Sequence, residues 1–129
     1  MKKHLQSLLV YGLFLLGGLA LGFGAPRAYE WLKPNYVEGD YSAYLSGGNT
    51  KVVLYTTSWC PYCAKAKAYF KENKIAYTEM DIEKSETAKR QHQELGGGTI
   101  PKVLIGNRMI AGFIPSAFDA ALSKVAASK

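Results

Sequence analysis

Cysteine is scarce in this 129-residue chain, which holds two, Cys60 and Cys63. That excludes a disulfide-stapled fold, which needs several pairs closing wide loops. It also excludes a structural zinc centre, which usually needs four ligands. Histidine is equally sparse: His4 precedes an apolar stretch and His92 falls in a distant helical one. Neither joins the cysteines as a ligand, so no metal is expected. Like charges never run five or six together, although the formal net charge is +6. A nucleic-acid-binding tail is therefore not indicated; the charge reads as a solvated basic surface, the alternative being attraction of anionic lipid or acidic thiol compounds through the general field. No internal repeat is visible. The hydrophobic fraction of 48% is that of a folding chain, with enough length for one modest core and an appendage.

Charge is also missing between His4 and Arg27. The stretch Leu5 to Ala25 is 21 residues of mainly Leu, Gly, Val, Phe and Ala. As a helix it would be about 31 Å long, matching a hydrocarbon core of about 30 Å. Residues 1–25 are therefore expected to be a transmembrane anchor. Lys2 and Lys3 favour a cytoplasmic start, which places the rest across the inner membrane on the periplasmic side of a Gram-negative cell. The alternative is a cleaved signal peptide ending near Ala20-Leu21-Gly22. Against it stand the length of the apolar run and Pro26 directly after Ala25. Either way the remainder is exported. Residues 26–50 read as a tether broken by Pro26, Pro34, Gly39, Gly47 and Gly48. Tyr29 and Trp31 suit a headgroup belt. Tyr36, Tyr41 and Tyr44 either pack on the domain or mark a short helix near Asp40 to Leu45.

Residues 51–129 read as one α/β domain. Lys51 to Thr57 is a buried strand of β-branched and aromatic residues. Cys60-Pro61-Tyr62-Cys63 opens a helix to about Glu72, with Pro61 in the first turn where its missing N–H costs nothing. A second strand spans Ile75 to Ile82. A polar helix runs from Ser85 to Leu95 and stops at Gly96-Gly97-Gly98. Lys102–Ile105 and Arg108–Ala111 form a hairpin about Gly106-Asn107. A last helix starts at Pro115 and ends near Val125. The order β-α-β-α-β-β-α predicts a four-stranded mixed sheet flanked by helices, its first two strands parallel.

Cys60 falls where the first strand gives way to a helix, at free N–H groups and the positive end of the macrodipole. An anionic sulfur is stabilised there, so its pKa is expected to fall from about 8.5 into roughly the 3.5–7.5 range of such sites. Cys63 lies nearly one turn on, on the same side. The expected division of labour is that Cys60 attacks a disulfide and Cys63 attacks the resulting mixed disulfide. A structural disulfide here would close too short a loop to contribute much.

Cys60-Pro61-Tyr62-Cys63, Thr99-Ile100-Pro101 and Ala111-Gly112-Phe113 together resemble the dithiol glutaredoxins over residues 51–125. The resemblance implies a thioredoxin-like fold of glutaredoxin size and a cis peptide before Pro101. It implies glutathione as reductant, with Trp59, Tyr62, Thr99, Ile100, Pro101, Gly112 and Phe113 around the bound substrate or glutathione. Its implied partners are glutathione and disulfide-containing proteins. Three positions depart from the family: Thr57 replaces a Lys or Arg, Gly98 an Arg or similar side chain, and Ile114 an Asp. Lys102 and Arg108 are candidate substitute cations. Trp59 before the nucleophile is more like thioredoxin. The expected function is a thiol-disulfide oxidoreductase. The alternatives are an exported thiol oxidase, isomerase or electron carrier that does not use glutathione, and a peptide- or cluster-binding module.

Overall fold

A computed structural model describes residues 2–48 and 50–128, giving the backbone alone for residues 2, 20, 21 and 23–32. The chain divides into two compact units, Met1–Pro34 and Asn35–Lys129.

The first unit is built on helix α1, Lys2–Leu32. It continues past Pro26, so the break expected there is absent; the Ala, Arg and Leu that follow are good helix formers. The expected transmembrane span is not found. Among the described residues no helix is long and apolar enough to cross a membrane. Residues 20, 21 and 23–25 of the expected span lie outside the described side chains, as do Tyr29 and Trp31 of the expected aromatic belt.

The second unit contains β1 (Val37–Glu38), α2 (Ser42–Leu45), β2 (Val52–Thr56), α3 (Pro61–Glu72), β3 (Thr78–Asp81), α4 (Glu86–Glu94), β4 (Lys102–Ile105), β5 (Arg108–Ala111) and α5 (Pro115–Ala127). Its sheet runs in the order β1-β5-β4-β2-β3, with only β2 and β3 parallel. β2 lies between β3 and β4 and is buried along its whole length, as its unbroken apolar run requires.

Side-chain alternation along β2 divides two cores. Val52 and Leu54 join Phe70 of α3 and Phe118 of α5 on one face. Val53 and Tyr55 join Tyr41, Leu95 and Leu104 on the other. The sheet thus lies between two helical layers. The Phe70 and Phe118 rings stack at 5.3 Å between centroids.

The sheet has five strands, which corrects the expected four. The fifth comes from the stretch read as tether: β1 pairs with β5 through Val37 opposite Met109 and Glu38 opposite Arg108. Two residues are too few to show a strand period against a usual length of about five or six. Contacts distant in sequence hold β1 in place. Glu38 accepts from Arg108 Nε at 3.2 Å and Lys124 Nζ at 2.8 Å. The Arg108 guanidinium lies 4.1 Å from the Tyr36 ring centroid. Gly39 N–H donates to the Asn107 carbonyl at 2.9 Å. Tyr41 then buries its ring in the second core.

Candidate active site

Strand β2 delivers its chain directly to the cysteines. Cys60 is the N-cap of α3, extended at φ −79 and ψ 115, with Pro61 at the first helical position. Its Sγ accepts the Cys63 backbone N–H at 3.2 Å, an orphan donor of the first turn. No acidic side chain occupies that turn. Both cysteines are free thiols. Cys60 is 6% exposed and Cys63 fully enclosed. Burial, then the bond with Cys60, pushes the Cys63 thiol up to about 12. The Thr57 backbone amide and the Lys67 charge act in the opposite direction.

Two large aromatics flank the pair in the open: Trp59 is 68% exposed and Tyr62 56%. Trp59 Nε1–H donates to Glu83 Oε1 at 2.9 Å, fixing the indole against the turn after β3. Lys65 Nζ lies 5.1 Å from the Tyr62 ring centroid. Beside Trp59 an open groove of about 590 Å³ is lined by Thr57, Glu83, Glu86, Lys89, His92 and Ile100, among others. A larger cavity of about 920 Å³ is lined by Tyr41, Leu45, Asn107 and Val125 among others, and neither cysteine lines it or the groove.

Of the sequence-predicted site residues, Trp59 and Ile100 line the groove, and Cys60, Tyr62, Cys63, Thr99, Pro101, Gly112 and Phe113 do not. The peptide between Ile100 and Pro101 is cis. The Gly112 N–H donates to the Pro101 carbonyl at 2.7 Å, which brings the turn after β5 beside Thr99-Ile100-Pro101. Thr99 is exposed. The ring of Phe113 packs on Tyr69 and Phe118 at the edge of the first core.

Neither substitute cation is available. Lys102 is buried, and its Nζ donates to the carbonyls of Leu95 at 2.9 Å and Gly97 at 2.7 Å. Burial lowers its pKa. Arg108 is tied to Glu38 at the β1 edge.

Four side chains that sequence reasoning left aside stand near the site. His92, read as distant, lines the groove. Glu83 holds Trp59. Lys67 and Glu79 pair at 3.0 Å, and Glu79 Oε1 also accepts from the Thr56 hydroxyl at 2.9 Å. Only Lys67 had a readable signal, its spacing of four from Cys63 on a helix.

With this geometry in place, comparison with known proteins is informative. Residues 52–110 match the sequence family described as Glutaredoxin. The chain is 34% identical over 62 residues to a glutaredoxin of Pseudomonas aeruginosa, covering 47% of this chain and 74% of that protein. It is 34% identical over 64 residues to glutaredoxin 1 of Rickettsia conorii, covering 47% of this chain and 63% of that protein. The chain thus spans less than two thirds of the Rickettsia protein's length. Among solved structures it is similar to a thioredoxin-like protein at TM-score 0.53 and 30% identity, over 56% of this chain and 100% of that one.

Proposed function

The chain belongs to the glutaredoxin family, and from that premise we propose that it is a thiol-disulfide oxidoreductase working through the Cys60/Cys63 dithiol. The observation that carries this is the Cys60 Sγ at the mouth of α3, accepting the Cys63 N–H at 3.2 Å. Cys60 attacks one sulfur of a substrate disulfide; the S–S bond breaks, one thiol leaves with a proton, and a mixed disulfide forms on Cys60. Cys63 then loses its proton and attacks Cys60 Sγ, forming the Cys60–Cys63 bond and releasing the second thiol. The substrate gains two electrons and the dithiol loses two. A reductant must restore the dithiol.

Two readings of that reductant remain. Glutathione is supported by family membership. A carrier that does not use glutathione is supported by the cations: Thr57 is uncharged, Lys102 and Arg108 are committed elsewhere, and the groove beside Trp59 carries Glu83 and Glu86 against Lys89. An anionic tripeptide finds little complementary charge there. Side-by-side turnover with glutathione and glutathione reductase, and with a thioredoxin-reductase system, separates the two. The residue test is common to both. Cys60→Ser abolishes turnover, and Cys63→Ser retains part of the reduction of glutathione mixed disulfides. Full activity in Cys60→Ser overturns the assignment.

For location we propose export, with the catalytic unit held at the periplasmic face of the inner membrane. Lys2 and Lys3 at the start support the orientation. Ten large apolar side chains between Leu5 and Leu19, each more than half exposed, support contact with lipid.

A further inference from the structure

Cys63 must supply a thiolate from an enclosed site in the second half of the reaction. Burial opposes that charge, and its thiol is pushed up to about 12. The groups that act on its charge are Cys60 and Lys67 of α3 and the backbone amide of Thr57, just past β2. Lys67 is the one cation among them, a helical turn beyond Cys63. It meets Glu79 of β3 and Tyr77 beside it, and the bond to Glu79 holds its ammonium protonated above its ordinary range. Glu79 is fixed in turn by the hydroxyl of Thr56, which is fully buried in β2. A chain of contacts therefore runs from the core strand through Glu79 to the ammonium of Lys67, four residues on from Cys63 along α3 and so on the same face of the helix.

We infer that the Lys67–Glu79 pair serves the resolving step, Lys67 stabilising the Cys63 thiolate electrostatically and Glu79 acting as the positioning residue that keeps Lys67 there. This rests on the proposed dithiol route. The balanced step is the one given above: the Cys63 S–H proton goes to solvent, the Cys60–Cys63 bond forms, and the bond from Cys60 to the substrate sulfur breaks. Lys67 keeps its own proton throughout. Neither residue of the pair lines the groove.

A bis-nitrobenzoate disulfide reads both halves in the full-length protein. Attack by Cys60 releases one coloured thiolate, and resolution by Cys63 releases the second. Lys67→Met slows the second release about two- to fivefold, the size expected of one partly solvated charge, and moves its pH profile upward. The first release is unchanged, and Lys67→Arg restores the second. A second release unchanged in Lys67→Met, or both releases slowed alike, overturns the inference. Absence of any second release from the unmodified protein would instead sink the dithiol route on which it rests.

Discussion

His92 projects from a polar helix into near-complete burial, 6% exposed. The imidazole Nε2 has no hydrogen-bond partner among the described residues. Burial and the nearby Lys102 charge hold its pKa below the ordinary value. The unfolded chain therefore takes up a proton first, near the ordinary pH of about 6.5. Stability is full above that pH, falls as pH drops through it, and levels off below the folded-state value. Urea midpoints at pH 7.5 and pH 5.5 should show this loss, and His92→Gln should reduce it. The residue-scale chemistry was unevenly legible. Cys60 and Cys63 could be placed because capping and proline rules are local. His92, Lys102 and Arg108 could not, since their partners lie across the fold: a lysine two positions before a buried strand residue reads as surface until the carbonyls of Leu95 and Gly97 are brought to it.

At the scale of elements, the segment before β2 is part of the folded domain. β1 covers the edge of β5, and Tyr41, with Tyr44 and Leu45 beside it, completes the second core. A fragment starting at residue 51 exposes that face; one starting at residue 35 keeps it. Losing a buried aromatic and its neighbours costs about 3 kcal/mol. At about 4–8 °C per kcal/mol for a domain of this size, the shorter fragment should melt on the order of 10 °C or more below the longer one by circular dichroism. Equal melting temperatures would show that residues 35–50 add nothing. Strands β2, β4 and β5 and helices α3, α4 and α5 were readable because each carries its own period, cap or stop. Ser85, for example, caps α4 through its hydroxyl to the Ala88 N–H at 3.2 Å. β1 was not, because it exists only by virtue of residues some 70 positions away.

For the whole molecule, the chain divides into two units after Pro34, and the first exposes large apolar side chains from Leu5 to Leu19. The proposed location predicts that the full chain sediments with the inner-membrane fraction and resists extraction by carbonate. Periplasmic protease should reach the catalytic unit in spheroplasts. Recovery of the intact chain in the soluble fraction would remove the lipid proposal and leave the proposed redox function untouched, because Cys60 and Cys63 both lie in the second unit.

The bond from the Trp59 indole to Glu83 has a practical consequence. Only two tryptophans exist in the chain, and Trp31 precedes residue 35. A fragment from residue 35 onward carries a single indole, immediately before the attacking sulfur, with its ring open to solvent. Its emission is a built-in optical gauge of whether the neighbouring sulfurs are joined, so the oxidation state can be followed in real time with no added dye.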